Sequence, residues 1–290
     1  MEDLISIVIP CYNRKDIILD ALNSVLNQTY KNIEVIVVDD ASTDNTYELF
    51  EKFRDNRVHY YRYEKNQGAC YARNYGVERA RGKYIAFQDS DDIWHADKLE
   101  RQYNDIIQSN ADFVYCGMNR TDKKNKQSFY YPQNDFKGED AVLGQLLVDN
   151  MISTQTILMK KEVSEKIQFD VTFRRYQDWD YAIQAAKTRV NMYYRKEALV
   201  DSEIQANSIS ATVKSGEAYE HLVSKYQDLY DSMPYEAAQM YNKIANAYKN
   251  TDMQKAKQYY YRSLKSRFSI KVMIKYILST LGLRRLVGNK

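Results

Sequence analysis

The chain has 290 residues, 44% of them apolar, with a net charge of +3 and a mean hydropathy of -0.66. These values argue for a soluble globular protein with one sizeable core, alone or with an appendage, and against a disordered or membrane-spanning chain. The charge is uneven: residues 252–290 hold ten Lys/Arg against one acid, a segment of +9 that leaves -6 for the remainder. Leu4–Pro10 is the first predicted strand, followed by a helix over Ile17–Leu26 with Ile18, Leu22, Val25 and Leu26 on one side. Strands are predicted at Glu34–Val38, Val58–Tyr63 and Tyr84–Phe87, separated by helices around Thr46–Phe53 and Ala69–Arg81. β-Branched and aromatic runs alternating with helices predict an α/β fold, a mostly parallel, doubly wound sheet flanked by helices. A helix at Lys98–Gln108, a strand at Phe113–Met118 and a polar, mobile excursion at Asn119–Lys137 come next. A helix at Ala141–Val148 precedes short strands at Thr156–Met159 and Met192–Tyr194. From about Gly216 the pattern is helical to the end. Ile244–Leu264 is spaced like one tetratricopeptide-type hairpin, which cannot bury its own face and must pack on the body of the protein or on a partner.

Met1-Glu2-Asp3 lacks the basic start of a secretory signal, and no stretch has the length of a transmembrane helix. Cys11, Cys70 and Cys116 form an odd set without metal-ligand spacing, which points to a reducing cytosol.

Two acidic clusters each follow an apolar run. Val35–Val38 leads into Asp39-Asp40-Ala41-Ser42-Thr43-Asp44, and Tyr84–Phe87 into Gln88-Asp89-Ser90-Asp91-Asp92. Carboxylates gathered at strand ends repel one another, and ligands of open α/β sheets bind in the crevice beyond those ends. Oxygen-rich acidic sites favour Mg²⁺ or Mn²⁺, and these ions favour phosphates. A metal-assisted enzyme acting on a phosphate-bearing substrate is the expectation.

Four ordered stretches then carry a resemblance. They are Ser6–Asn13 (SIVIPCYN), Val38–Asp44 (VDDASTD), Asn66–Asn74 (NQGACYARN) and Gly82–Asp92 (GKYIAFQDSDD), the last followed by Trp94 and Leu99. With a weaker fifth, Gln177–Asp180 (QDWD), they resemble glycosyltransferase family 2, inverting enzymes of the GT-A (Rossmann-like) fold of the bacterial surface-glycan type, over residues 4 to 210. The resemblance implies that Pro10 and Tyr12 line the base pocket of a UDP-sugar. It implies that Asp40 accepts from the uracil imide, that Asp39 supports its loop and that Arg73 faces the diphosphate. Asp89-Ser90-Asp91 matches the family's Asp-x-Asp motif. Asp91 and Asp92 are thereby implied to hold Mn²⁺ or Mg²⁺ on the diphosphate, with Asp89 and Ser90 against the nucleotide or sugar. Asp178 is the implied general base. The family usually has Glu-Asp here and this chain has Gln177-Asp178, so any tuning by that glutamate is lost. Plainer readings stand beside these. Arg73 could be a helix-surface cation and Asp92 a helix cap. Asp180 could be the base instead of Asp178, or both could be solvated acids at a helix start. Trp94 and Trp179 suit core as well as sugar stacking, and no metal role falls to His59, His95 or His221.

The resemblance divides the chain into a nucleotide-sugar-binding half (1–110), an acceptor-binding and catalytic half (111–214) and a helical extension (215–290). In that extension Ile270, Met273, Ile274, Ile277, Leu278 and Leu281 share one helical face, with Lys271 and Lys275 on another and Arg284-Arg285 beyond. This basic amphipathic helix suits an anionic membrane surface, or else docks its apolar face on the protein. The acceptor implied is a lipid- or protein-linked saccharide, and the location implied is cytoplasmic, peripheral on the inner face of the plasma membrane. Nucleic acid is not an expected partner, because the front half lacks a basic aromatic surface. A catalytically silent scaffold is the rival reading from another class. A sugar nucleotidyltransferase is a weaker rival, because Pro10–Arg14 is not the Gly-rich loop such an enzyme needs.

Overall fold

The computed structural model describes residues 2–122, 125, 127–132, 142–204 and 214–282. They fall into two compact units. The first comprises Met1–Asp135, Asn150–Thr172 and Gln177–Ala206; the second comprises Phe136–Asp149, Phe173–Tyr176 and Asn207–Lys290.

The first unit opens with β1 (Ile5–Cys11), α1 (Ile18–Leu26), β2 (Ile33–Asp39), α2 (Thr46–Lys52), β3 (Val58–Arg62), α3 (Ala69–Arg79) and β4 (Tyr84–Phe87). β5 (Ile93–Trp94), α4 (Lys98–Ser109), β6 (Phe113–Asp122) and β7 (Gln127–Tyr131) come next. After α5 (Val142–Leu146), which belongs to the second unit, the chain returns with β8 (Ile157–Lys160), α6 (Lys161–Ser164), α7 (Gln177–Lys187) and β9 (Met192–Glu203). One sheet runs in the order β3-β2-β1-β4-β8-β6-β9-β5, with β7 paired to β6. Its first four strands are parallel, while β8 joins antiparallel between β4 and β6.

β1, β2 and β4 are buried at every position, as strands covered on both faces must be, which is why they read as unbroken apolar runs. Their register decides where the acids go. Cys11 pairs with Asp39 and Val8 with Phe87, so the loops after all three strands leave the same edge of the sheet. α3 lies close on β1 because Gly76 has no Cβ; one built there would sit 2.4 Å from Val8 Cγ1. At the opposite edge Ser6 Oγ donates to Glu34 Oε1 (2.6 Å), and Glu34 also accepts from Arg81 N (2.7 Å) and Nε (2.8 Å). The buried carboxylate is thus fully satisfied. Burial pushes its pKa up, but the hydrogen bonds from Ser6 and Arg81 win and hold it below the usual range.

Part of this architecture differs from expectation. Within the polar excursion, β6 runs on to Asp122 and β7 pairs with it from Met118↔Tyr131 to Asp122↔Gln127, while residues 133–137 lie outside the described residues. β9 extends from Met192 to Glu203 rather than three residues, crossing a bulge opposite Cys116–Gly117 to reach β5. Both stretches are polar and half-exposed, so apolar periodicity does not reveal them.

Lys98 opens α4 fully buried. Its Nζ donates to Gln102 Oε1 (2.7 Å) and lies 3.8 Å from the centre of the Trp94 ring. Its partners are an amide and a ring, and burial pushes its pKa from the ordinary 10.5 down to about 8. The unfolded chain binds the proton more tightly, so the buried charge costs stability in full below pH 8, and that cost is relieved as pH rises from about 8 towards 10.5. Lys98→Met is therefore expected to raise stability near neutral pH by about 1 kcal/mol, since losing the buried charge outweighs losing the Gln102 bond. That advantage should vanish at alkaline pH. Urea midpoints at the two pH values check it, and a lower midpoint for the variant at neutral pH would refute it.

The second unit is helical. It contains α8 (Ser215–Lys225), α9 (Gln227–Ser232), α10 (Pro234–Tyr248), α11 (Met253–Ser266) and α12 (Ile270–Thr280) besides α5. Tyr230 Oη donates to Leu147 O (2.6 Å) and Lys243 Nζ to Val148 O (2.7 Å), which ties the chain after α5 to this bundle. α10 buries Ala237, Met240, Tyr241, Ile244 and Ala245, and Ser263 Oγ of α11 donates to Ala238 O (2.6 Å). The hairpin read from the spacing is therefore packed within this unit. Arg284, Arg285 and Lys290 lie outside the described residues.

Candidate active site

The loops after β1 and β2 are stitched to each other. Asn13 N donates to Ser42 Oγ (2.9 Å), Thr43 N to Asn13 Oδ1 (2.8 Å), and Lys15 N to Asp44 Oδ2 (3.0 Å). Asn13 and Ala41 both take left-handed backbone conformations, with φ of 52° and 61°. Tyr12 projects from the end of β1 with its ring exposed, next to Pro10 and Cys11 in the buried strand.

The first acidic cluster divides by partner. Asp39 is wholly buried; it accepts from Ser42 N (2.8 Å) and from the Tyr60 hydroxyl in a very short contact. Asp40 clamps the turn before α3, accepting from Gln67 N (2.6 Å) and Gly68 N (2.7 Å). Gly68 stands at φ 90°, ψ 162°, a conformation only glycine adopts readily, and that places its N–H on the carboxylate. Burial pushes the Asp40 pKa up; the two N–H groups oppose the shift and the charge of Asp39 adds to it.

The second cluster leaves β4. Gln88 Nε2 donates to Asp92 O (2.6 Å) and shapes the loop, and Ser90 is buried within it. Asp89 Oδ1 accepts from Arg73 Nη2 (2.7 Å), while Asp91 Oδ2 lies 3.9 Å from Arg14 Nη2. Burial and the charge of Asp89 both raise the Asp91 pKa. Asp92 is 4% exposed, and its pKa is pushed well up by burial and then by Asp89 and Asp91, against a hydrogen bond from Ser202 and the charge of Arg120. Among the described residues no three His, Cys, Asp or Glu converge as a ready-made metal cage.

Arg73 joins this cluster to α7. It is buried to 6% exposure, lies 5.2 Å above the Phe169 ring, and its Nη1 donates to Gln177 Oε1 (3.1 Å). The surface-cation reading of Arg73 is therefore excluded. Asp178 follows in the first turn of α7, where its Oδ1 accepts from Trp179 N (2.8 Å) and its carboxylate from the Asn150 side chain. Asp178 keeps partial access to solvent while protein atoms crowd it, and that crowding raises its pKa against the hydrogen bonds and the charge of Arg73. Asp180 is fully buried and accepts from Gln184 Nε2 (2.7 Å). Trp94 and Trp179 are core residues, at 3% and 2% exposure, so neither offers a face to a sugar.

Arg73 thus gathers Asp89, Gln177 and Asp178 at one point, with Asp91 and Asp92 in the loop beyond Asp89. Motif reading missed Arg14, Asn150, Arg120 and Ser202. Only Arg14 adjoins a recognisable stretch, directly after SIVIPCYN; the other three come from segments without a motif.

The family model for glycosyl transferase family 2 matches residues 6–199. The chain belongs to glycosyltransferase family 2. TuaG of Bacillus subtilis, a glycosyltransferase whose name assigns it to teichuronic acid biosynthesis, is 34% identical over 72% of this chain and 82% of its own. WfaP of Escherichia coli, named a UDP-Glc:alpha-D-GlcNAc-diphosphoundecaprenol beta-1,3-glucosyltransferase, is 32% identical over 72% of this chain and 80% of its own. Residues 1–349 of TarS from S. aureus, crystallised with UDP-GlcNAc, match in fold with a TM-score of 0.72 at 16% identity, covering 98% of this chain and 89% of that one. The family, the GT-A fold and the assignment as an enzyme, a glycosyltransferase, all agree with the motifs.

Proposed function

We propose that this glycosyltransferase moves a sugar, with inversion, from a UDP-sugar to a hydroxyl of a saccharide acceptor during assembly of a bacterial surface glycan. The observation that carries the reading is the Arg73 joint: one buried guanidinium donates to Asp89 and to Gln177 beside Asp178, so donor-side and acceptor-side groups surround one fixed cation. Pro10 and Tyr12 line the base pocket, with the Tyr12 ring against uracil. Asp40 accepts from the imide N–H through lone pairs that Gln67 and Gly68 leave open. Asp89 and Ser90 contact ribose or sugar, and Arg73 faces the diphosphate.

Asp91 and Asp92 are the residues that would hold Mn²⁺ or Mg²⁺. Their burial and mutual repulsion leave a deficit of positive charge that a divalent cation would offset. Such ions at phosphate sites take one or two carboxylates and draw their other ligands from phosphate and water, so two acids suffice. When bound, the ion stabilises the charge that accumulates on the departing diphosphate. Asp178 takes the proton of the acceptor hydroxyl as that oxygen attacks the sugar carbon from the face opposite UDP, and the bond from sugar to UDP breaks. Its raised pKa makes it a stronger base than an ordinary carboxylate. The likeness to WfaP, whose name specifies a diphosphoundecaprenol-linked acceptor, favours a lipid-linked acceptor.

Incubation with a panel of UDP-sugars, Mn²⁺ and lipid- or protein-linked saccharides tests the reading. One donor should release UDP in an acceptor-dependent, chelator-sensitive way. Turnover with GDP- or dTDP-sugars alone would remove the uracil assignment, and no turnover with any donor would restore the scaffold.

A further inference from the structure

We propose that α12 lies flat on an anionic phospholipid surface. This rests on the helix and its flanks, and it is tested apart from the transfer reaction. At 100° per residue Ile270, Ile274, Ile277 and Leu281 fall on one narrow stripe, and they are 64%, 50%, 47% and 65% exposed. The residues buried against the rest of the bundle are Val272 and Ser279, on the opposite side of the helix. The helix therefore docks through a small face and turns its largest aliphatic side chains to solvent, the reverse of an ordinary surface helix. Phe268, just before it, is 66% exposed.

The chemistry around the stripe selects the occupant. No acid occurs from residue 253 to the end of the sequence. Lys271 is exposed beside the stripe, and Lys275, although it donates to Asn246 Oδ1 (3.1 Å), has its pKa lowered by burial and by the charges of Lys249 and Lys271. A second copy of this face would set cations against cations, whereas anionic headgroups would relieve their repulsion. At about 1.5 Å per residue the 11-residue helix is too short to span a bilayer, and no helix among the described residues is long and apolar enough to do so. An apolar stripe bordered by cations is the pattern of a helix lying in the membrane interface.

Flotation of the full chain with phosphatidylcholine vesicles, with and without phosphatidylglycerol, decides it without any sugar donor. Binding is expected only with phosphatidylglycerol and should weaken with salt. Ile274→Glu with Ile277→Glu should weaken it by roughly a hundredfold, about tenfold for each lost aliphatic contact. Lys271→Glu should weaken it by about 25-fold, near fivefold per unit of charge. These side chains are exposed, so melting temperature and donor turnover on a water-soluble acceptor should not change. Equal binding by the variants, or absence of vesicle binding, would overturn the proposal. So would a dimer in sedimentation that the double substitution abolishes, because the stripe would then be an interface between copies. Vesicle binding without sugar transfer would leave the lipid surface standing and count against the donor assignment alone.

Discussion

Asp178→Asn is expected to lower kcat by roughly a thousandfold, within the range that a positioned general base contributes. The fold should survive. Asparagine keeps an oxygen for Trp179 N and the Asn150 side chain, and it removes a charge that its crowded surroundings disfavour. Melting should therefore be unchanged or slightly higher while turnover collapses, a combination that a purely structural role does not produce. The pH profile supplies a second reading. A base works only when ionised, so the wild-type rate should fall as pH drops through the Asp178 pKa, and that limb should lie above the ordinary carboxylate value because the pKa is raised. Residual activity in the variant should lack the limb. A variant rate within tenfold of wild type, or an unchanged acid limb, would move the role elsewhere, with Asp180 the first candidate to examine.

Asp91→Asn is expected to cost about a thousandfold in turnover, since several kcal/mol of charge stabilisation on the leaving diphosphate would go. Mn²⁺ affinity in the presence of UDP, followed by the electron paramagnetic signal of the free ion, should fall in parallel. Asp92→Asn should lower that affinity less, because the Ser202 side chain already donates to the Asp92 carboxylate, whereas Arg14 stands 3.9 Å from Asp91. If Asp92→Asn abolished Mn²⁺ binding and Asp91→Asn preserved it, the two roles would be exchanged. Undiminished Mn²⁺ binding by both variants would exclude the loop after β4 as the metal site.

Much of the fold was legible for a simple reason. Strands buried on both faces must be apolar throughout, so β1, β2 and β4 announce themselves, and the acids that follow stand out by contrast. The β6–β7 hairpin and the far end of β9 were hidden because their side chains are polar and half-exposed. The helical stripe of α12 was readable from periodicity, yet periodicity alone leaves open whether it faces the protein or solvent; Val272 and Ser279 decide that. Within the candidate site, motifs pick out the candidate residues but not the groups that support them. Asn150, Arg120 and Ser202 reach the aspartates only through strand pairing and chain reversals that no local spacing encodes. Gln177 is the instructive case. By sequence it is only a departure from Glu-Asp, whereas in the fold it is a neutral acceptor on Arg73, leaving Asp89 as the nearest carboxylate on that cation.

The stitched loops after β1 and β2 bear on the thermodynamics of donor capture. Asn13 bonds Ser42 and Thr43, and Lys15 bonds Asp44, across the two loops, and Asn13 and Ala41 hold left-handed conformations. On the proposed reading, these bonds within the chain place the conformational entropy of shaping the base pocket in folding and not in binding. Nucleoside recognition should accordingly resemble lock-and-key association, with little backbone rearrangement around Tyr12 and Asp40. Substitutions at Asn13 or Ser42 should then weaken donor affinity by loosening the loops that hold Tyr12 and Asp40.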